Sequence, residues 1–550
     1  MRSSALQIQI ACNARDKYFR RKLLFFSMFL KTLRRLFAMA TTEEVKYARV
    51  EASEHDNSPS RNGDLIAQTR VERVFNTIQF FTLSITFMSS WEAVAGNLYT
   101  VFLNGGPQTL VWGFLLVWAG AISQAASMAE MASIQPIAGA MYHWTYALAP
   151  SSIKRFATWL QGWITWAGWI SMSVGMGTGT AYWIINLAQL HYPNYEAKLW
   201  HTTLIVWAML LITTLVNLFK FGKLVPWIET VAGCFHIVFW VVFCVVLLAT
   251  APKHDANFVF FSRVDSRQTS GWTDDFVSWN LGLQTSVWCF VGFDAAVHLS
   301  EEVRKAATTV PWVMVLTNCV NGLMAWLFIL VLLFCMGSPE NALKYSQPLL
   351  AVLLNATGSV RAATAMASLL ILISMCAMVV NIASMSRLSW SWARDGGLPK
   401  VFAYVDSVER VPARAVLFSV NIVVLLTLVG IGSSVALQVF ISLSTLAMYI
   451  SYFIAILAMF LRRFTADPPQ LGPWNMGRFG PFVNAFALIY TAYVMIWLPF
   501  PSIMPITGPN FNYSSPILGA VVLLAVIWWL IYHKRWPGLS QDVIEVATKE

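Results

Sequence analysis

Ser89-Ser90-Trp91-Glu92-Ala93-Val94-Ala95-Gly96 and Val291-Gly292-Phe293-Asp294-Ala295-Ala296-Val297 decide how this chain is read. Each holds an aromatic, then an acid, then alanine and small or branched residues. They lie within Thr86–Asn97 and Trp288–Leu299, inside long apolar segments. An acid at the middle of a bilayer span costs roughly 2.5 kcal/mol or more, so by default it marks function. Interrupted segments in matching positions of two halves are the usual pointer to a transporter's binding site. The expectation is that the two stretches form one site.

The rest of the composition supports an all-α membrane protein. Hydrophobic residues make up 57% of the chain and charged residues 12%, against roughly 25% charged in soluble domains. Twelve apolar runs approach or exceed the roughly 20 residues that cross a bilayer. They fall near 75–103, 108–133, 156–188, 200–219, 226–250, 275–299, 312–337, 363–391, 413–432, 434–461, 482–502 and 515–533. The formal charge of +10 is concentrated in residues 1–38, which hold nine Lys/Arg and one acid, leaving +2 for the remainder. Nucleic-acid binding needs a basic face on a folded domain, and none follows. Six of the seven cysteines (Cys234, Cys244, Cys289, Cys319, Cys335, Cys376) fall in apolar spans as buried thiols, and Cys12 stands apart.

The N-terminal 1–74 reads as a cytoplasmic tail. Residues 1–38 have the Arg-rich, acid-poor make-up of a mitochondrial presequence, or are a gene-model extension ahead of Met39; the polar stretch 41–70 is expected to be disordered. Lys and Arg gather in one set of short loops: Lys154-Arg155, Lys220 and Lys223, Arg304-Lys305, Arg387 to Arg414, Arg462-Arg463 and Lys534-Arg535. By the positive-inside rule that side, with both termini, is cytoplasmic. The opposite loops carry scattered charges such as Lys253, Arg263 and Lys344. The sequons at Asn355 and Asn512 fall there too, as glycosylation candidates. The plasma membrane is the default location, with vacuolar and mitochondrial membranes as alternatives. No GxxxxGK[ST] loop and no room for a nucleotide-binding domain argue for a gradient-driven carrier. No nucleophile–base pair or metal-ligand set is present, so neither an enzyme nor a cofactor is expected.

The intramembrane polar residues each have a bland and a functional reading. Glu92 is a buried acid paired with a neighbour, or a ligand for a cationic substrate head, or a proton carrier. Asp294 either lines the site or has a structural or gating role. Glu130, Glu301 and Glu302 lie near the cytoplasmic mouth and read as gating or structural ion pairs. Trp163, Trp166 and Trp169 share a helix face that either packs or holds a quaternary ammonium by cation–π attraction. Asn381 can hydrogen-bond substrate or a neighbouring helix.

Several blocks also carry a family resemblance. Glu130 through Trp144, Gly292-Phe293-Asp294 with Glu301-Glu302 and Pro311, and Arg387 through Pro399 resemble the signature blocks of the amino acid–polyamine–organocation superfamily. Ser89-Ser90-Trp91 and Asn104-Gly105-Gly106-Pro107 most resemble its fungal amino acid/choline permease branch, which includes 4-aminobutyrate and choline permeases. The resemblance covers residues 70–535. It implies two inverted five-helix repeats (75–250 and 251–461) with broken helices 1 and 6, two extra helices (462–533) and a C-terminal tail (534–550). It implies a substrate site at Ser89, Ser90, Trp91, Glu92 and Ala93 with Val291, Gly292, Phe293 and Asp294, completed by helices 3 and 8, where Trp166 and Asn381 lie. It further implies alternating-access transport of amino acids or related amines, with H+ as the co-transported ion. Glu92 and bulky Trp91 replace the glycine-rich run common at the first break, which tilts the substrate toward one bearing an amine. A non-transporting sensor of the same fold and a polyamine or other organocation carrier are the competing readings.

Overall fold

Helix α1 (Thr77–Met88) begins where Asn76 and Gln79 cap each other, the Gln79 amide donating to Asn76 Oδ1 at 2.9 Å. The computed structural model describes residues 71–219, 221–406, 409–432, 436–540 and 544–545. The expected extension 1–38, the polar tail 41–70 and residues 541–543 and 546–550 of the expected C-terminal tail lie outside the described residues. Among the described residues the regular structure is helical, apart from one isolated bridge between Phe75 and Val303.

After α1 come α2 (Ser90–Gly96), α3 (Leu98–Leu103), α4 (Phe114–Ile134), α5 (Met141–Leu148), α6 (Lys154–His191), α7 (Leu199–Leu218) and α8 (Phe221–Thr250). Then follow α9 (Asp275–Trp288), α10 (Ala295–His298), α11 (Ala306–Cys335), α12 (Pro348–Thr357), α13 (Val360–Arg394), α14 (Ala413–Thr427), α15 (Ala436–Arg462), α16 (Gly480–Trp497) and α17 (Ser514–Tyr532). Short helical turns join several of these.

Among the described residues, nine helical stretches are long and apolar enough to cross a membrane: Thr109–Ile134, Leu199–Leu218, Leu224–Thr250, Ala306–Cys335, Val360–Arg394, Ala413–Gly432, Val439–Arg462, Gly477–Trp497 and Ser514–Tyr532. They correspond to nine of the twelve expected spans. The other three differ for a common reason: they line the interior. Expected spans 75–103 and 275–299 are interrupted helices, and α6 is continuous but rich in Gly, Ser and Thr where it meets the cavity. The outer faces of α7, α8 and α17 are apolar and exposed, as at Leu211, Ile212, Val245, Leu248, Leu524 and Leu530. So wide an uncovered apolar surface fits contact with lipid tails.

The two interruptions have identifiable causes. Between α1 and α2, Ser89 takes φ 38°, a left-handed conformation uncommon for a residue with a Cβ. Between α9 and α10, residues 289–294 form successive turns, and Gly292 takes φ 94°. A Cβ at Gly292 would sit 2.7 Å from Phe87 Cε1, so both the backbone angle and the space call for glycine. The breaks are tied together: Ser90 Oγ donates to the Cys289 carbonyl at 2.7 Å, and Thr285 Oγ1 to the Asn97 carbonyl at 2.9 Å. Asn321 of α11 donates to the Ile85 carbonyl at 3.2 Å. Side chains thus satisfy carbonyls near both breaks.

Candidate functional site

A cavity of about 690 Å³ lies beside both breaks. Its lining includes Phe87, Met88, Ser89, Glu92 and Ala93 from the first break, and Trp288 and Val291 from the second. Helix α6 contributes Met172, Met176, Tyr182 and Trp183, and α13 contributes Ser374 and Ala377. Loop residues 343–347 and 510–512 also line it, and Lys344, Ser346 and Phe511 among them are exposed. The cavity therefore reaches solvent at the end of the molecule where α13 begins.

Glu92 is the one acid among the described lining residues, and Lys344 at the mouth is the one base. Glu92 sits in the first turn of α2, where the helix N-terminus favours negative charge. Its Oε1 lies 2.7 Å from His236 Nδ1 on α8. Its Oε2 is buried without a hydrogen-bond partner among the described residues. A carboxylate with one oxygen uncommitted, in a wall of aromatic and methionine side chains, can receive a cationic or hydrogen-bonding head group.

Asp294 is placed differently. It does not line the cavity, and it is fully buried. Tyr452 donates to Oδ1 at 2.6 Å, Trp169 Nε1 donates to Oδ2 at 3.2 Å, and His298 Nε2 lies 3.3 Å from Oδ2. Trp169 in turn stacks on Phe87 at 5.7 Å, so this cluster is the support beneath one cavity-wall residue.

The chain matches the amino acid permease family over residues 75–523. It belongs to that family. A provisionally named amino acid/polyamine transporter of Macrophomina phaseolina is 28% identical over 439 residues, covering 78% of this chain and 96% of that protein. A choline transporter of Saccharomyces cerevisiae is 25% identical over 476 residues, covering 85% and 83%. Amino-acid permease 2 of Neurospora crassa is 25% identical over 471 residues, covering 82% and 84%. The resemblance read from the signature blocks is thereby shown, and the protein is an integral membrane permease.

Within the permease, the expected site residues divide. Ser89, Glu92, Ala93 and Val291 line the cavity; Ser90, Trp91, Gly292, Phe293, Asn381 and Trp166 do not, nor does Asp294. Ser90 is taken up by the Cys289 carbonyl. Trp91 packs away from the cavity against Phe243 and Phe328, each at 5.2 Å. Phe293 packs on Tyr452 at 5.0 Å. Asn381 accepts from Ser173. Trp166 donates to Ser389 Oγ at 2.9 Å and stacks on Phe418, so it packs between α6, α13 and α14, with Trp163 edge-on to it, while Trp169 turns to Asp294 and Phe87. Asn355 is exposed, whereas the Asn512 amide nitrogen donates to the Leu498 carbonyl at 2.8 Å and so is committed to the cavity rim. Phe87 and Trp288 in the wall fall within the two expected stretches without being expected to line the site, while Tyr182 and Trp183 in the wall and His236 behind it lie outside them.

At the opposite end, where α13 finishes, ion pairs gather. Arg387 Nε donates to Glu302 at 2.7 Å, and Arg394 donates to both Glu301 oxygens at 3.1 Å. Arg463 pairs with Glu130, and the Met476 amide adds a 3.2 Å bond to that carboxylate. The Val74 and Phe75 amides donate to the Glu302 carbonyl at 3.0 and 3.1 Å, tying the segment before α1 to this cluster. Asp395 accepts from Tyr142 at 2.7 Å and sits 2.7 Å from His143. Burial pushes the Asp395 carboxyl up, but His143 and Arg394 outweigh burial and hold it below the usual carboxylate range. Burial also raises Glu302, and there Arg387 offsets only part of the rise.

Proposed function

We propose that this permease is a secondary carrier of amino acids or related amines, with the substrate's cationic head against Glu92. One observation carries this reading: Glu92 is the acid of a 690 Å³ cavity beside both helix breaks, and one of its oxygens has no partner. The aromatic wall of Phe87, Trp183 and Trp288 suits an ammonium or quaternary head, and the choline transporter among the relatives fits that chemistry. In this reading the chain has twelve spans, arranged as two inverted five-helix repeats (75–250, 251–461) and two further helices (462–533). The end with loops 343–347 and 510–512 faces outward, and the ion-paired end is the closed cytoplasmic gate. Both termini are cytoplasmic, the membrane is the plasma membrane, and H+ drives uptake. Glu130, Glu301 and Glu302 act in the gate through their arginines. Asp294 supports the site from behind instead of touching substrate.

The test is uptake by the purified protein in liposomes over choline, 4-aminobutyrate, amino acids and polyamines, with and without an inward pH gradient. Saturable uptake of at least one amine-bearing compound is expected. Binding without any uptake across that panel would favour the sensor reading.

A further inference from the structure

Helix α8 carries a second acid that the cavity does not use. Glu229 is fully buried, lies outside the cavity lining, and neither carboxylate oxygen has a hydrogen-bond partner among the described residues. Gly233 and His236 follow at i+4 and i+7, so the three share one stripe of the helix. Gly233 reveals what this stripe faces. A Cβ there would sit 2.8 Å from Thr82 Cβ, so α8 lies closely against α1, just before the first break. At the far end of the stripe His236 meets Glu92 in the cavity wall, and its Nε2 is buried and unpartnered.

Among the described residues no cation pairs with Glu229. Helix α8 packs on α1, α7, α11, α12 and α13. Of the titratable groups described on those helices, Cys376 of α13 interacts electrostatically with Glu229, while Cys335 of α11 interacts with Cys244 further along α8. His201 of α7 is bonded to Tyr195. Arg387 and Arg394 of α13 are engaged with Glu302 and Glu301, and Arg361 is exposed at the other end of that helix. A bare carboxylate so placed costs several kcal/mol. A proton removes the charge, and with it the larger part of that cost.

We propose that Glu229 is a proton-binding site of this permease, linked to the substrate cavity along the α8 stripe by His236 and Glu92. Binding adds one H+ to a carboxylate oxygen and forms one O–H bond; no other bond changes. When α1 separates from Gly233, water reaches the stripe, the carboxylate becomes solvated and the proton leaves. The assignment of a coupling role rests on the carrier reading above; the protonation of Glu229 does not.

The experiment therefore has two arms, both on the full chain in lipid vesicles. Infrared difference spectroscopy compares the wild type with Glu229→Gln and Glu229→Asp. A protonated-carboxyl C=O band at neutral pH is expected in the wild type, absent from Glu229→Gln and displaced in Glu229→Asp. In the second arm, uptake of radiolabelled choline and 4-aminobutyrate is measured with and without an inward pH gradient. The ratio of the two rates is expected to exceed one in the wild type and fall to one in Glu229→Gln. A ratio is insensitive to the yield of folded protein, so poor folding alone does not move it. An unchanged carboxyl band in Glu229→Gln, or a retained gradient ratio, overturns the proposal. A wild type that takes up neither probe counts against the carrier reading, while the infrared band still decides whether Glu229 binds a proton.

Discussion

The two helix breaks share a sequence pattern and differ in what they do with their acids. At the first, Glu92 lines the cavity, spends one oxygen on His236 and keeps the other buried without a partner among the described residues. At the second, Asp294 is enclosed by Tyr452, Trp169 and His298 and touches no cavity. The chain length of the acid and its position in the turn account for part of this. Glu92 lies inside α2, directed by helical geometry, whereas Asp294 is the residue just ahead of α10, in a bend that Gly292 turns inward. A carboxylate that accepts from two donors, one on each oxygen, is already satisfied and gains little from a ligand. One with an idle oxygen gains a great deal.

The largest test of this difference is Asp294→Ala. It leaves two buried donors, Tyr452 and Trp169, without an acceptor, and removing one member of a buried polar cluster costs about 3–5 kcal/mol. The expected outcome is loss of folded protein and a lower melting temperature in detergent, with Asp294→Asn recovering most of the loss. Glu92→Gln is expected to reverse the pattern. Folding is retained, because the amide still bonds His236. Uptake of a cationic probe such as choline falls, since truncating one side of a buried charge pair costs about 2–5 kcal/mol, or at least ~30-fold. Should Asp294→Asn abolish uptake in well-folded protein while Glu92→Gln leaves it intact, the two roles are exchanged and the comparison fails.

The breaks themselves were legible in the sequence, because a small residue and an acid at membrane depth are costly unless backbone or ligand chemistry needs them. Nine of the spans were equally legible from apolar length. The direction in which each acid points was not. That depends on contacts far apart in the chain, such as Tyr452 reaching Asp294, and no local pattern encodes them. His236 and Glu229 are a different case. The depth rule that picks out Glu92 applies to His236, near the middle of the expected span 226–250, and more weakly to Glu229 near its start. Of the two readings of the tryptophan face of α6, packing fits Trp166: Trp166 and Trp183 lie on the same helix, but of the two only Trp183 lines the cavity.

A smaller effect is expected at the ion-paired end, where Asp395 is held by His143, Tyr142 and Arg394. Hydrogen bonds to a charged group contribute about 1.5–3 kcal/mol, so Asp395→Asn should lower stability by that order at neutral pH. The sign of the pH dependence follows from the depressed carboxyl. An acid whose folded pKa lies below its unfolded value stabilises the fold above the unfolded pKa. That stability is lost as pH falls through the folded value. Melting curves at about pH 7 and about pH 3 should show the gap between wild type and variant closing on acidification. A gap that widens instead would mean that His143 does not govern this carboxylate.

The smallest effect is expected at Trp166, and it bears most directly on where the aromatic wall lies. Trp166→Phe keeps the ring on Phe418 and removes the 2.9 Å bond to Ser389, worth about 1 kcal/mol. Ser389 keeps its bond to Ser419 at 2.7 Å, so the loss is partly absorbed. Because Trp166 lines no cavity, the KM for a quaternary ammonium should stay within roughly twofold of wild type. Trp183→Leu removes a ring from the cavity wall, and a desolvated cation–π contact of about 2 kcal/mol corresponds to a KM increase of about 30-fold for choline. A neutral-headed probe should lose far less. If Trp166→Phe raises the KM for choline more than Trp183→Leu does, the cation sits deeper, at the level of the Asp294 cluster, and the two breaks are equivalent after all.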